Sequence, residues 1–385
     1  MSLVAPLLWT LPFVLPPLAV LLRARHSRSL DEFSPNAAPD APLVSVIIPA
    51  RNERRNIERC ARSVLSTTYP RLDAIVVDDH STDGTGEIAA AIAASDSRLR
   101  VILAPPLPDG WFGKQWACAS GAREARGALL VFTDADTKHE PDLLSRAVNA
   151  MQSERADLVT LAGHQEMHSF WERVIQPHLF VLLSIRYGGT EHVSRAKRPV
   201  DVIANGQFIL MSREAYDAVG GHAAVRDVVA EDMALAQTFV RVKRRVLLLF
   251  ARTQFSTHMY ASLSELIRGW GKNIYAAGRT AALGGAIGRA LYPAILVATP
   301  ILGLIPPIAL VLSLVGALST AWLVWSMIVV ACSLVFWAIV YQFSEESAAY
   351  ALTYPLGLVM LLYIAVGAIA RGQRVEWKDR AYVSR

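Results

Sequence analysis

Apolar residues are concentrated in two parts of the 385-residue chain and leave an ordinary soluble pattern between them. Residues 3–22 contain no charged side chain, and the same holds for the runs 291–319, 321–343 and 348–370. Each run is long enough to cross a bilayer as a helix, which needs about 20 apolar residues. Residues 43–285 instead mix apolar and polar positions as globular domains do. The pattern therefore predicts one soluble domain held between membrane segments.

Basic residues follow the N-terminal run and indicate its orientation. Arg23, Arg25 and Arg28 come directly after it, and Lys and Arg residues are retained on the cytoplasmic side of membrane segments. A secretory signal peptide is the alternative, but the run lacks a charged start and no small-residue cleavage site follows. We therefore expect residues 1–28 to be an anchor in the inner (plasma) membrane, followed by a polar linker at 29–42 and a cytoplasmic domain.

The number of C-terminal passes decides on which side of the membrane the chain ends. Counting the uncharged runs within residues 286–370 gives three passes, which would place the basic tail at 371–385 outside, against the positive-inside rule. Pro306 and Pro307 interrupt the first run, which could instead form two short or re-entrant passes. We prefer the resulting count of four, because it keeps the tail in the cytoplasm beside the soluble domain.

Short runs of apolar, β-capable residues alternate with helical patterns in the soluble domain. Four strands are predicted, at 44–49, 74–77, 100–103 and 129–132. Helical patterns lie between them, notably at 86–94 and 114–125. Such alternation is typical of an α/β domain with a doubly wound sheet. A further apolar run at 179–185 is either core or part of a helix lying at the bilayer surface.

Two carboxylates end the fourth predicted strand. Asp134 and Asp136 lie one residue apart where the apolar run stops, and ligands bind at the carboxyl ends of strands in open α/β sheets. Two carboxylates at that spacing can share one Mg²⁺ or Mn²⁺, whose remaining ligands are usually phosphate oxygens and water. The alternative is a helix N-cap at Asp136 or Thr137, shortly before Pro141.

A second polar cluster follows the second predicted strand and suits a nucleotide. Asp78 and Asp79 can accept hydrogen bonds from a base imide or a ribose hydroxyl, and residues 83–85 offer backbone N–H groups at a helix start. An Asx-type turn within 81–85 would account for the same residues without a ligand. Lys114, at the start of a later helix, is a candidate to neutralise a diphosphate, the alternative being a solvated surface lysine.

Net charge and cysteine content narrow the function classes. The formal net charge is +5 and the basic excess lies near the membrane segments, which argues against nucleic-acid binding. The cysteines have neither metal-ligand nor disulfide spacing, so we interpret all three as packing residues in a reducing compartment: Cys60, Cys118 and Cys332.

Several short motifs follow one another along residues 44–275 and in the tail. In the first half they are Pro49-Ala50-Arg51-Asn52-Glu53, Asp78-Asp79-x-Ser81-x-Asp83-Gly84-Thr85, Gly113-Lys114-Gln115 and Asp134-Ala135-Asp136. In the second half they are Gly220-Gly221-His222, Ala230-Glu231-Asp232-Met233, Leu266-Ile267-Arg268-Gly269-Trp270 and Val375-Glu376-Trp377-Lys378-Asp379-Arg380. Together they resemble family 2 glycosyltransferases of the GT-A fold. Residues 110–114 and the tail look similar to membrane members that glycosylate carotenoid acids or are associated with hopanoid synthesis.

The resemblance implies a mixed, doubly wound GT-A sheet and a role for each matching residue. Asp134 and Asp136 would hold the metal ion at the donor diphosphate, and Asp232 would be the general base supported by Glu231. The expected nucleotide-sugar-binding residues are Ala50, Glu53, Asp78, Asp79, Lys114, Asp134, Arg268 and Trp270. Arg268 and Trp270 would close over the diphosphate and the acceptor.

Alternatives to these roles stay open. Glu231 and Asp232 could simply begin a helix, because acidic residues favour a first turn. Arg268 and Trp270 could be plain interface residues. His222 or His258 could complete the metal shell, although a lone histidine in such a sequence is more often structural.

Two departures from the family pattern refine the expected reaction. Processive synthases carry Gln-x-x-Arg-Trp, whereas here Glu265 replaces the Gln and Gly269 is inserted before Trp270. This difference argues against a polysaccharide synthase and for transfer of one sugar. Asp379 stands where the family usually has Gly, so the backbone geometry of the tail is expected to differ from that of the family at this position.

The expected function is transfer of a single hexose from a nucleotide sugar to a membrane lipid. UDP-glucose is the expected donor, and a carotenoid, hopanoid or other isoprenoid is the expected acceptor. The alternative enzyme makes a polyprenyl-phosphate or ceramide-type glycolipid. A different class of protein is also possible, namely a nucleotide-binding membrane scaffold without turnover. The charged set formed by Lys114, Asp134, Asp136 and Asp232 argues against it, because such a scaffold would not need these residues for chemistry.

Overall fold

The computed structural model describes residues 4–372, 374–377 and 380–383, with side chains for 9–275, 278–279 and 281–372. The chain divides into two compact units. The sheet unit comprises Ser27–Glu166, Thr190–Met259 and Gln373–Arg385; the helical unit comprises Met1–His26, Met167–Gly189 and Tyr260–Gly372. Five residues of the predicted tail at 371–385 lie outside the described residues, namely Gln373, Lys378, Asp379, Ser384 and Arg385.

The elements of the described residues are as follows, in chain order. The strands are β1 (Val44–Ala50), β2 (Leu72–Asp78), β3 (Leu99–Leu103), β4 (Leu129–Thr133), β5 (Thr137–His139), β6 (Leu158–Gln165), β7 (Phe208–Ser212), β8 (Val246–Thr257), β9 (Arg374–Trp377) and β10 (Arg380–Val383). The helices are α1 (Val4–Ala24), α2 (Ile57–Leu65), α3 (Thr85–Ala93), α4 (Gly113–Glu124), α5 (Leu143–Ser153), α6 (Phe170–Tyr187), α7 (Thr190–Ser194), α8 (Arg213–Ala218), α9 (Glu231–Arg241), α10 (Leu263–Thr280), α11 (Gly285–Leu314), α12 (Thr320–Phe343) and α13 (Tyr354–Arg371).

Strands β1 to β8 form one mixed sheet in the order β3-β2-β1-β4-β7-β6-β8-β5. The four strands from β3 to β4 are parallel to one another. β7 runs antiparallel to both β4 and β6, while β6 and β8 are parallel and β5 is antiparallel to β8. This arrangement confirms the predicted α/β class with a mixed sheet. β9 and β10 pair as a separate antiparallel hairpin.

Strand β1 lies inside the sheet unit because helices cover both faces of the sheet. Val46 and Ile48 point to one face, where they share a core with Ile57 and Cys60 of α2. Ile47 points to the other face, which α4 approaches closely. A Cβ added at Gly121 of α4 would lie 2.5 Å from Ile47 Cγ2, so this contact requires glycine.

The predicted strands and helices of this unit are confirmed, with ends that shift by one or two residues. For example, the strand expected at 74–77 extends over Leu72–Asp78, and the helix expected at 114–125 is α4. Apolar patterning located these elements because each buries an apolar face in the unit's core.

Residues 29–42 are packed against the sheet unit, which corrects the prediction of a simple polar linker. Leu30 is fully buried and Phe33 is 9% exposed, and both belong to the main core. Ser29 caps the short 3-10 helix Leu30–Glu32, and the Arg146 guanidinium donates to the Phe33 carbonyl at 2.6 Å. Burial of the two apolar side chains favours docking over free extension in water.

The helical unit contains α1, α6 and α10 to α13. Three helical segments among the described residues are long and apolar enough to cross a membrane: Gly285–Leu314, Thr320–Phe343 and Ala348–Arg371. The N-terminal helix contributes a shorter apolar segment, Trp9–Ala24. The three long segments agree with the C-terminal apolar runs read from the sequence, whereas Trp9–Ala24 is shorter than the predicted N-terminal run at 3–22.

Helix α11 is continuous, which corrects the expected division of the first C-terminal run. It extends over 30 residues and contains four prolines, including Pro306 and Pro307. A proline inside a helix removes one backbone hydrogen bond, but neighbouring helices can compensate in an apolar setting. The two prolines therefore do not split this run into two short passes.

The apolar run at 179–185 lies on α6 and is partly buried. Leu179 is buried within the helical unit, whereas Leu183 and Ile185 are exposed. His178 stacks on Trp337 with ring centroids 3.9 Å apart, and its Nε2 lies 3.2 Å from the Tyr354 carbonyl. One side of α6 thus packs against the other helices of its unit.

Candidate active site

Polar residues gather at the edge of the sheet where β1, β2 and β4 end and β7 begins. Asp134 follows β4, and the segment before β7 lies next to it because these two strands pair in opposite directions. A small pocket at this edge is lined by Pro49, Lys114, Cys118, Phe132, Thr133, Asp134, Gly206, Ile209, His222, Glu231 and Asp232. The topology therefore joins residues that are up to 183 positions apart in the chain, from Pro49 to Asp232.

Lys114 connects two of the predicted site residues directly. Its Nζ lies 2.8 Å from Asp134 Oδ1 and 2.8 Å from Glu231 Oε1. Burial works to lower the pKa of this ammonium group, but the two carboxylates outweigh burial and hold the pKa well above its usual value. The lysine therefore stays charged beside two carboxylates in the first turn of α4.

Asp232 lies at the start of α9 with both carboxylate oxygens anchored by backbone groups. Its Oδ2 accepts a hydrogen bond from the Gly206 N–H at 2.8 Å, and its Oδ1 accepts one from the Met233 N–H at 2.7 Å. Burial, followed by the negative charge of Glu231, raises the pKa of Asp232 to about 6. A carboxylate that is fixed by two backbone hydrogen bonds and has a raised pKa, as Asp232 has, is suited to take a proton near neutral pH.

Asp136 has the features of a cation ligand. Its Oδ1 is buried and has no hydrogen-bond partner among the described side chains and backbone. Burial, followed by the charges of Asp134 and Glu53, raises the pKa of Asp136 to about 7. A buried carboxylate oxygen without a partner is costly unless a cation or proton balances it. Asp134 and Asp136 thus fit a hard divalent cation, Mg²⁺ or Mn²⁺.

The surroundings of Asp136 decide between the two earlier interpretations of this turn. The helix N-cap at Asp136 or Thr137 is wrong, because Thr137 begins β5 and α5 begins only at Leu143. The Asp136 carbonyl instead accepts a hydrogen bond from Arg59 at 3.0 Å and one from the His258 N–H at 3.4 Å. Within the described residues, no group of three or more His, Cys, Asp or Glu side chains is assembled around a cation position.

The loops after β1 and β2 are joined by hydrogen bonds. The Asp79 N–H donates to the Ala50 carbonyl at 2.8 Å, and the Glu53 N–H donates to Thr85 Oγ1 at 2.8 Å. Asp78 Oδ1 accepts from the Ser81 N–H at 3.0 Å. The loops thus bring together the four predicted nucleotide-binding residues Ala50, Glu53, Asp78 and Asp79.

The Asx-type turn considered for residues 81–85 is present. Asp83 Oδ1 accepts from the Thr85 N–H at 3.0 Å, and its Oδ2 accepts from the Arg54 N–H at 2.9 Å. Asp83 is therefore engaged in holding the loop. Asn52, in the facing loop, has a φ of 53° and its Oδ1 accepts from the Thr82 N–H at 2.9 Å.

His222 is packed as a neutral core histidine beside the pocket. Its Nδ1 lies 3.0 Å from the Tyr216 hydroxyl, and its ring meets Phe132 edge-on at 4.5 Å between centroids. Burial lowers the pKa of His222 to about 4. These contacts favour the structural interpretation of His222. The other candidate histidine, His258, contacts Asp136 by a hydrogen bond from its backbone N–H to the Asp136 carbonyl.

Arg268 and Trp270 lie on α10, in the helical unit. Arg268 is exposed, and Trp270 is 8% exposed with its ring edge-on to Phe180 at 5.7 Å. The inserted Gly269 leaves room for an aromatic ring, since a Cβ there would lie 2.4 Å from Tyr260 Cε1. The insertion therefore has a packing reason within the helical unit.

Three residues near the site were missed by the sequence reasoning. Gly206 holds Asp232, and Gln207 accepts from the Asp134 N–H at 3.4 Å through its carbonyl. Arg59 contacts the Asp136 carbonyl and forms a salt bridge with Glu166 at 2.9 Å. The only local signal was the dipeptide Asn205-Gly206, which indicates a turn but no function.

The chain was compared with protein families and with curated relatives. Residues 45–220 match the family model described as Glycosyl transferase family 2. The 4,4'-diaponeurosporenoate glycosyltransferase of Staphylococcus haemolyticus is 26% identical over 234 residues, which is 60% of each chain. Glycosyltransferase AglE of Haloferax volcanii is 37% identical over 120 residues, which is 31% of this chain and 38% of that protein. The matches thus span less than two thirds of the length of these relatives.

Among solved structures, the mannosyltransferase PcManGT from Pyrobaculum calidifontis, in complex with GDP-Man and Mn²⁺, is similar over most of its length. The match covers 94% of this chain and 97% of that one, with a TM-score of 0.57 and 19% sequence identity. This similarity shows a shared fold, in agreement with the mixed sheet described above.

Proposed function

We propose that the protein transfers a single hexose from a nucleotide sugar to a membrane lipid, starting from the match of residues 45–220 to the family model described as Glycosyl transferase family 2. The proposed donor is UDP-glucose, and the proposed acceptor is an isoprenoid lipid such as a carotenoid or hopanoid. The domain would act at the cytoplasmic face of the inner membrane, held there by the apolar helices.

One observation carries the proposal of turnover over that of a binding scaffold. Lys114 bridges Asp134 and Glu231 at 2.8 Å each, and Asp232 follows Glu231 with its carboxylate anchored. A positive group, one of the two proposed cation ligands (Asp134) and a candidate base thus line one pocket, and Asp136 lies two residues after Asp134 in the chain. Nucleotide binding alone would not need the anchored Asp232 at this place.

Each group has a role in the proposed reaction. The Asp232 carboxylate would accept the proton of the acceptor hydroxyl as its oxygen attacks the anomeric carbon, with Glu231 holding Lys114 beside it. The bond between the anomeric carbon and the donor diphosphate breaks on the opposite side, which inverts the configuration. Lys114 would stabilise the negative charge of the departing diphosphate.

Asp134 and Asp136 would hold Mg²⁺ or Mn²⁺ at the diphosphate. A divalent cation there supplies charge neutralisation to the leaving group. The loop residues Ala50, Glu53, Asp78 and Asp79 would bind the nucleoside. Arg268 and Trp270 are proposed to act at the diphosphate and the acceptor.

A lipid acceptor is supported by two features. The first is the set of three apolar helical segments of the helical unit. The second is the similarity to enzymes whose name gives 4,4'-diaponeurosporenoate as the molecule they glycosylate.

The proposal is tested by release of UDP from purified protein in detergent, across a panel of nucleotide sugars that includes UDP-glucose and GDP-mannose. We expect release that requires Mn²⁺ or Mg²⁺ and increases when isoprenoid lipids are added. Asp136→Ala should abolish it, while Asp142→Ala, which changes an acidic residue just before α5, should not.

The outcomes separate the candidate functions. Turnover with polyprenyl phosphate or ceramide, and none with carotenoid or hopanoid acceptors, would assign the alternative glycolipid synthase. Nucleotide-sugar binding without release of nucleotide under any condition would contradict the enzyme and favour the scaffold.

A further inference from the structure

The segment Asn205-Gly206-Gln207, just before β7, contacts both halves of the proposed active site. The Gly206 N–H donates to Asp232 Oδ2 at 2.8 Å. The next carbonyl, that of Gln207, accepts from the Asp134 N–H at 3.4 Å and from Thr133 Oγ1 at 2.7 Å. Two consecutive residues therefore connect the candidate base to the first metal-binding carboxylate.

The Gln207 side chain extends this connection to Asp136. Its Nε2 lies 3.5 Å from Thr257 Oγ1, and the Thr257 hydroxyl lies 3.4 Å from the Asp136 carbonyl. Its Oε1 accepts hydrogen bonds from Asn205 Nδ2 at 3.0 Å and from Gln165 Nε2 at 3.3 Å. Every polar atom of this amide is thus engaged.

Burial makes the connection rigid. Gln207 is 6% exposed, Thr257 is fully buried, and Asn205 donates further to the Leu161 carbonyl of β6 at 2.9 Å. A buried and satisfied network of amides and hydroxyls has few alternative arrangements, because breaking any one bond leaves a buried polar group without a partner. Gly206 also has little space, since a Cβ there would lie 3.1 Å from Asp232 Oδ2 and 3.2 Å from Lys114 Nζ.

We propose that Gln207 is a positioning residue that sets the placement of the Asp134–Asp136 turn relative to the base Asp232. This inference rests on the proposed function, because it assigns the two ends of the network to metal binding and to proton transfer. Gln207 touches no reacting atom in this role. It acts through its own carbonyl on Asp134, through Thr257 on Asp136, and through the adjacent Gly206 on Asp232.

A second buried glutamine provides a matched control. Gln237, on α9 of the same unit, is 9% exposed, and its Nε2 has no hydrogen-bond partner among the described residues. Gln207→Met and Gln237→Met remove the same amide from similarly buried positions and keep a side chain of similar length. Only the first substitution removes the network.

The test compares these variants in turnover and in direct binding of Mn²⁺ by electron paramagnetic resonance, with UDP present and no acceptor. For Gln207→Met we expect kcat to fall about 10- to 100-fold and Mn²⁺ to bind about tenfold more weakly, as when supporting residues around a metal site are lost. The KM for the donor sugar should change much less than kcat. Gln237→Met should match the unsubstituted protein in both measurements.

Substitutions at Thr257 separate the two ends of the network. Thr257→Val removes the link to Asp136 and should weaken Mn²⁺ binding while kcat at saturating Mn²⁺ stays near that of the unsubstituted protein. Thr257→Ser keeps the hydroxyl and should restore Mn²⁺ binding. A purely structural role would not produce this split or this rescue.

Two results would overturn the inference. One is equal behaviour of Gln207→Met and Gln237→Met in both measurements. The other is a loss of turnover that only follows the folded fraction, with unchanged Mn²⁺ affinity per folded molecule. Failure of the unsubstituted protein to release nucleotide from any donor would instead contradict the proposed function, and the Mn²⁺ titration would still decide whether Gln207 positions the carboxylates.

Discussion

The sheet unit and the helical unit use their polar residues in different ways. In the sheet unit, Lys114, Asp134 and Glu231 converge on one pocket, which concentrates charge where a substrate can meet it. In the helical unit, Arg173 of α6 instead pairs with Glu346, which follows α12, in a salt bridge at 2.8 Å. The comparison teaches that the sheet unit gathers charged side chains at one pocket, for which we propose a chemical role, whereas the Arg173–Glu346 pair of the helical unit joins two parts of that unit. Substitutions in the two units should therefore fail in different ways.

The largest expected effect is on Asp232. Asp232→Asn keeps the shape of the side chain but removes the base, so we expect kcat to fall about 10²- to 10⁴-fold with thermal stability unchanged or increased. The measurement is single-turnover transfer to a hydroxyl-bearing lipid. A loss smaller than tenfold would contradict the role of Asp232, or point to a carboxylate acceptor, which is already ionised and needs no base.

A smaller loss is expected at Lys114. Lys114→Met removes the positive charge between Asp134 and Glu231, so both turnover and donor affinity should fall, with kcat/KM lower by about 10²-fold. Lys197→Met, at an exposed lysine of the same unit, serves as the control. Equal activity of the two variants would mean that Lys114 is a structural counter-ion.

In the helical unit the expected failure is one of packing. A Cβ at Gly357 of α13 would lie 2.2 Å from His178 Cε1, so Gly357→Ala should displace the ring from Trp337 and cost about 1–3 kcal/mol of stability. Gly367→Ala, on the same helix with no atom within 4 Å of the added Cβ, should cause no such loss. Thermal unfolding in detergent measures the stability of both variants. A fall in kcat per folded molecule without a shift in Tm would contradict the contrast between the units.

The smallest effect is the pH dependence of turnover. Because the pKa of Asp232 is raised to about 6, the base becomes protonated as pH falls through 6, and kcat should drop about tenfold per pH unit below it. The same shift has the opposite effect on stability, since the folded protein holds this proton more tightly than the unfolded chain and gains stability as pH falls toward 4. A rate profile that stays flat down to pH 5 would contradict the shift.

The sequence alone determined the α/β class, the positions of the first four strands along the chain and the C-terminal apolar helical segments. Runs such as Val44–Pro49 and Leu129–Phe132 are apolar because helices cover both faces of the sheet, and such patterns are visible locally. The motif resemblance likewise indicated Lys114, Asp134, Asp136 and Asp232 as one set. Local patterning failed where three-dimensional packing decides, as at Leu30 and Phe33 in the presumed linker and at the prolines of α11.

Only the tertiary structure decided how the site residues meet. Asp134 and Glu231 are 97 positions apart, and nothing in either local sequence indicates that both lie 2.8 Å from Lys114. Gln207 and Gly206 carry no motif, and they matter because β7 runs antiparallel to β4 and delivers its preceding turn to the end of that strand. Periodicity reports which face of an element is buried, whereas the distance between two carboxylates depends on how strands from distant parts of the chain pair.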